Sequence, residues 1–321
     1  MGSNNKWIES KPDDTVRQVA RRALESRLKR TWHYLERAVR SSQGDSENVH
    51  QLRIFARRTA AAMEIFGEWL PERRGDWMRR QVKRIRQTAG EARDFDVLSM
   101  RWMAYVERLP SGQAAFLLEH IKRHRQEAQQ PIQAIHKTLL RKRFARRTAG
   151  LIKRIREGAG SGVCADQFGC MAHIAFRRLV VPYLKSALAE MTDAEALHAF
   201  RIQGKQVRYA MEIFAGAFEA DFRQQLYPVV ATLQERLGAI NDHVTAQAHF
   251  SRWLAESESC GTRQAIELGI REEQQAFETS RRDFLDWWTP ERREALCRRF
   301  GQYLNLEPMD ERAPRNDDRA G

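Results

Sequence analysis

The chain repeats itself at a fixed offset. His50-Gln51-Leu52-Arg53-Ile54-Phe55-Ala56-Arg57-Arg58 runs on to Ala62-Met63-Glu64-Ile65-Phe66. It returns as His198-Ala199-Phe200-Arg201-Ile202-Gln203-Gly204-Lys205, ending in Ala210-Met211-Glu212-Ile213-Phe214. Each residue lies 148 positions from its counterpart, and Gly90-Glu91-Ala92-Arg93-Asp94 meets Gly238-Ala239-Ile240-Asn241-Asp242 at the same offset. About fifty residues thus align without an insertion. The chain reads as one helical unit used twice.

Helical spacing gives each copy two faces. At 100° per residue, Leu52, Phe55, Thr59, Ala62, Met63 and Phe66 fall on one side. His50, Arg53, Arg57 and Glu64 fall on the other, within about 60° of one another. The second copy presents His198, Arg201, Lys205 and Arg208 in the same way. A further basic stripe, Arg79, Lys83 and Arg86, lies on the next segment, opposite inward-facing Met78, Val82, Ile85 and Ala89.

Composition agrees with long helices. The hydrophobic content is 42% and the charged content 30%, with only 18 Gly and 9 Pro among 321 residues. The net charge of +13 favours a polyanionic partner: nucleic acid, anionic membrane or polyphosphate. No apolar run is long enough to span a bilayer, and the first residues lead into no secretory signal. Cys164, Cys170, Cys260 and Cys297 form no CxxC pair and are expected to be reduced, in a cytoplasmic protein.

Taken in order, residues 1–14 are polar and expected to be mobile. Helices are expected over about 15–39, 46–70, 76–89 and 95–109, with Gly90 interrupting the pattern and Asp94 capping the helix at 95–109. A helical region then runs to about 156, broken at Pro131, which lacks an amide donor. Residues 158–162 separate a first half, 15–157, from a second, 163–305. In the second, Thr192 or Asp193 caps the motif helix, and helices are expected at about 222–237, 241–256, 262–287 and 291–304. The tail, 306–321, is too polar to fold alone.

Arg and Lys on one helix face suit phosphate. Guanidinium forms bidentate hydrogen bonds to its oxygens, and lysine supplies a mobile point charge. Glu64 and Glu212 read as ion-pair partners of these cations, and Asp94 and Asp242 as caps or arginine partners. His120 and His124 share a face but lack a nearby metalloprotease glutamate, so no metal site is expected there. The sequence has neither a P-loop nor a GxSxG motif. No catalytic residues, metal site or cofactor are assigned, and the chain is expected not to be an enzyme.

The pattern His-x-x-Arg-x-x-x-(Arg/Lys), then an apolar stretch and Gly-x-x-Arg/Asn-Asp, resembles the CHAD family, the conserved histidine α-helical domain. His50, Arg53, Arg57, Gly90, Arg93 and Asp94 carry it in the first half. His198, Arg201, Lys205, Arg208, Tyr209, Leu237, Gly238, Asn241 and Asp242 carry it in the second. The resemblance spans about residues 15–305, and this chain is similar to stand-alone members. It implies an all-α fold of two four-helix bundles related by pseudo-twofold symmetry. It also implies a basic groove or pore between them that binds inorganic polyphosphate, and association with polyphosphate granules; no cofactor is needed, and the polymer can carry divalent ions of its own. His50, Arg53, Arg57, Arg79, Lys83 and Arg86 would line one side, and His198, Arg201, Lys205 and Arg208 the other. Sequence-independent nucleic-acid binding is the alternative.

The halves also differ. Ala60 stands where the second half has Arg208, and Tyr227, Ala231 and Gln234 stand where the first has Arg79, Lys83 and Arg86. The first half is therefore expected to bring the larger share of charge to the site.

Overall fold

In the computed structural model, residues 6–40, 46–108, 111–157, 166–191 and 193–306 are described. The 158–162 linker, Thr192, Cys164 and the tail from 307 onward lie outside them. The described chain is all-α, and its only bridge pairs Thr15 with Gln167. No described helix is long and apolar enough to cross a membrane.

Helix α1, Val16–Arg40, packs on α2, Ser46–Ile65, and α2 on α3, Glu72–Arg108. After α4, Gly112–Glu127, the chain breaks where Pro131 sits in the first turn of α5, Gln130–Arg141. Helices α5 and α6, Phe144–Ile152, close the bundle against α1 and α3. The apolar face of α2 is buried as its spacing requires: Leu52, Phe55 and Ala62 have no exposed surface.

The second bundle keeps the same order. Helix α7, Phe168–Leu188, packs on α8, Ala194–Phe214. Asp193 caps α8, its side chain accepting from the Ala196 amide at 2.7 Å. A π-turn at Phe222–Leu226 leads into α9, Tyr227–Glu256, which packs on α8, and α11, Pro290–Leu304, packs on α7. The two repeated stretches fall on α2 and α8, which lie against each other.

Gly90 and Gly238 do not end helices, contrary to expectation. Both lie inside continuous helices, α3 and α9. One glycine costs a helix interior only about 1 kcal/mol, and tertiary packing exceeds that. The far half of α3 and α4 pack against the far half of α9 and α10, Cys260–Trp287. This adds a further four-helix group to the two bundles. Trp102, Leu117, Phe250 and Ile266 are buried there. Asp94 accordingly caps nothing.

Residues 6–14 are not a mobile segment. They form a strap across both halves: the Ile8 amide donates to the Glu212 carbonyl at 3.0 Å, and Trp7 meets the Tyr227 ring edge-on at 4.7 Å. The Phe168 amide donates to Asp14 O at 2.9 Å and the Gly169 amide to Pro12 O at 2.9 Å. Gly216 makes room for the strap, since a Cβ there would lie 2.0 Å from the Ser10 carbonyl oxygen. Gly216→Ala should dislodge the strap and destabilise the fold by about 1–3 kcal/mol, read as a lowered urea midpoint.

Under the strap lies a buried ion cluster joining the halves. Glu212 is fully buried and accepts from Arg58 Nε at 2.6 Å and Nη2 at 2.9 Å. Arg27 Nη2 reaches the same carboxylate at 3.4 Å, and the Tyr227 hydroxyl donates to it at 3.0 Å. One acid thus ties α1 and α2 to α8 and α9.

The cysteines are not all reduced. Cys260 and Cys297 are free, but Cys170 is disulfide-bonded.

Candidate anion-binding cleft

The polar faces of α2 and α8 meet across a cleft of about 680 Å³, flanked by α3 and α9. Equivalent positions of the repeat line it from both sides: Arg53, Arg57 and Ala61 from α2, and Arg201, Lys205 and Tyr209 from α8. Each set is spaced at three or four residues, so each forms one stripe on its helix.

The cations of the cleft are not equivalent. Arg53 is engaged: it donates to the Gly90 carbonyl at 2.9 Å and pairs with Asp94. Arg57 lies beside the Tyr209 side chain, with which it interacts. Among the described residues, no carboxylate forms an ion pair with Arg57, Arg201 or Lys205, and Arg201 Nε is buried without a hydrogen-bond partner. Burial and mutual repulsion depress all three. Burial, then Arg57, Arg201 and Arg53, push the Lys205 ammonium down to about 6, with Asp242 opposing. Burial and Arg57 bring Arg201 to about 10. Burial and Arg53 lower Arg57. The fold holds like charges together at a cost that an anion would relieve.

Of the expected site residues, Arg53, Arg57, Arg86, His198, Arg201 and Lys205 line the cleft. His198 is exposed at its edge, with Nδ1 on the Asn241 amide oxygen at 3.1 Å. The other four expected residues lie elsewhere. Arg79 turns away to Asp76 at 2.7 Å and the Gly67 carbonyl at 3.4 Å. Lys83 is exposed and outside the lining. Arg208 reaches Tyr227 at 3.2 Å and belongs to the Glu212 cluster. His50 is half-buried, and burial followed by the Arg93 charge holds it below its ordinary value, favouring neutral imidazole.

Tyr209, His249 and Arg252 line the cleft without having been singled out as site residues. Arg252 Nη2 and His249 Nδ1 are 2.8 Å apart on the far half of α9. Reading α9 as broken at Gly238 loses the helical phase that brings these two to the cleft.

The charge balance is also the reverse of expectation. The first half supplies Arg53, Arg57 and Arg86, but Glu64, Glu91 and Asp94 stand beside them. The second half supplies Arg201, Lys205 and Arg252 with no acidic residue. The net positive charge therefore comes from the second half.

Residues 17–251 match the CHAD domain family. The chain belongs to that family. It is also similar to two solved structures. One is described as the crystal structure of the CHAD domain from the plant Ricinus communis. The two are 23% identical, with a TM-score of 0.67, over 85% of this chain and 91% of that one. The other is PptA from Streptomyces chartreusis, 17% identical with a TM-score of 0.57, over 86% of this chain and 99% of that one. At these identities the likeness is one of fold. No curated protein matches the chain.

His120 and His124, on α4, belong to an aromatic cluster of this CHAD protein. Their Nε2 atoms are 3.2 Å apart, and His124 stacks on Trp253 at 4.5 Å. Burial lowers both, His120 to about 4. Among the described residues, no three His, Cys, Asp or Glu side chains come together to hold a metal ion.

Gly90 lines the cleft, and a Cβ there would meet nothing within 4 Å. Gly90→Ala should therefore stabilise α3 by about 0.5–1 kcal/mol. Gly90→Phe should keep the fold but project a ring into the cleft, reducing anion affinity roughly tenfold, about 1.4 kcal/mol. Thermal unfolding and a binding titration read the two effects separately.

Proposed function

We propose that this CHAD protein binds inorganic polyphosphate in the cleft between α2 and α8, without hydrolysing it. One observation carries the reading: Arg57, Arg201 and Lys205 converge, and among the described residues no carboxylate forms an ion pair with any of them. Closely spaced phosphate oxygens supply the missing charge, and guanidinium groups bind them in pairs. The aromatic lining favours polyphosphate over nucleic acid. Tyr209 and His249 are only 6% and 7% exposed, which leaves no open ring face for base stacking. Binding of this kind brings the protein to polyphosphate granules, and the polymer can carry its own divalent ions.

A competition titration tests the proposal. Labelled long-chain polyphosphate is bound, and double-stranded DNA or RNA is added at equal phosphate concentration. Retention of the label supports the reading, whereas displacement by nucleic acid at equal charge sinks it in favour of a general polyanion binder. Affinity should fall steeply with salt, by analogy with counterion release from DNA. Incubation of polyphosphate with the protein and Mg²⁺ or Mn²⁺ should release no phosphate; steady release makes the protein an enzyme.

A further inference from the structure

A second cavity lies away from the cleft, between α1 and α6, and shares no residue with it. Its volume is about 510 Å³, within the range of small-molecule sites. The sequence leaves this space open through Ala145 and Ala149, one turn apart on the exposed face of α6. Leu28, Phe144 and Ile152 form a buried apolar floor. The half-buried Trp32 ring stacks on Phe144 at 5.2 Å and supplies a flat wall.

The polar groups of this groove are incompletely matched. Thr148 is only 7% exposed, and its hydroxyl has no hydrogen-bond partner. Such a group is costly to bury unmet. At the rim stand Arg21, Lys29 and Lys153, with one acid among them, Glu25, which pairs with Lys29 at 2.7 Å. The groove thus combines an apolar floor, one unmet hydroxyl beside it and a net cationic rim.

We propose that this groove binds a small amphipathic organic anion, with a ring-sized apolar body and an acidic head group. The body would cover Leu28, Phe144 and the face of Trp32. The head would lie between Arg21 and Lys153. Polyphosphate has no apolar body and does not fit the floor.

The test uses 8-anilinonaphthalene-1-sulfonate as a fluorescent probe of the intact protein, with N-phenyl-1-naphthylamine as its uncharged counterpart. One saturable site per chain is expected, weakened about tenfold by Ala149→Trp, which fills the groove from an exposed helix position, and several-fold by Lys153→Glu. The uncharged counterpart should bind about tenfold more weakly, and excess polyphosphate should displace neither. Unchanged probe affinity in both variants overturns the site. Equal binding of the uncharged compound overturns the anion specificity. Self-association that Ala149→Trp abolishes also overturns the proposal, and assigns the groove to a second copy of the chain.

Discussion

Glu212→Ala is expected to destabilise the protein by about 3–5 kcal/mol, although the residue touches no ligand. The carboxylate is fully buried and receives two hydrogen bonds from Arg58, one from Tyr227 and a longer one from Arg27. Its removal leaves Arg27 and Arg58, 1% and 7% exposed, without a counter-charge. An unpaired buried charge costs far more than the pair was worth. The repeat supplies a control, because Glu64 holds the equivalent position on α2 but is exposed. Glu64→Ala should change stability by no more than about 0.5 kcal/mol. Urea unfolding monitored by helical circular dichroism gives both values. In the background of Glu212→Ala, Arg58→Met should recover part of the loss, since the residues are coupled. A loss below about 1 kcal/mol in Glu212→Ala would show that the cluster does not hold the halves together.

The contrast between Glu64 and Glu212 shows what the sequence can disclose. Helix type and facing depend on local spacing, so the buried stripe of α2 and the Asp193 cap were legible, as was the break at Pro131. Five cleft residues, Arg53, Arg57, His198, Arg201 and Lys205, were legible because the repeat places them on matching stripes, and Arg86 because it shares a basic face on the next helix. The fate of an individual arginine was not. Arg58, Arg79 and Arg57 look alike in sequence, yet one meets Glu212, 154 positions away, one meets Asp76 nearby and one meets no acid in the described structure. Long-range pairing decides which cations remain for a ligand, and periodicity does not encode it. The glycines misled for a related reason. Gly90 and Gly238 weaken a helix only slightly, and the packing of α4 and α10 that carries α3 and α9 through them is a tertiary effect. In the strap, polar residues outnumber Trp7 and Ile8, so composition does not disclose that those two anchor it.

Lys205→Met should have two opposite effects: a more stable free protein and a weaker complex with polyphosphate. In the folded protein, burial and the charges of Arg57, Arg201 and Arg53 hold this lysine at about 6, against 10.5 ordinarily. Between these values the unfolded chain binds more protons than the folded one, so this group's contribution to stability rises with pH. That contribution is present above the ordinary value and is lost as pH falls through the window. Methionine removes the penalty, so its stabilising effect should be largest near pH 6 and fade toward pH 10. With the side chain half-buried, roughly 1–2 kcal/mol is expected at neutral pH, seen as a rise of a few degrees in Tm. Phosphate reverses the repulsion and raises the lysine pKa, so binding takes up a proton at neutral pH. Wild-type affinity should therefore increase as pH falls from 8 toward 6, by at most about tenfold per unit for one proton, and level off below. His50, which burial holds below its ordinary value, would add any proton uptake only at the acidic end. In Lys205→Met the slope above pH 6 should shrink and affinity at pH 6 fall about tenfold or more. Calorimetry in buffers of different ionisation enthalpy counts the proton directly. A variant that keeps the wild-type pH slope, or is less stable near pH 6, would show that the repulsion among these cations is not what drives the cleft to bind an anion.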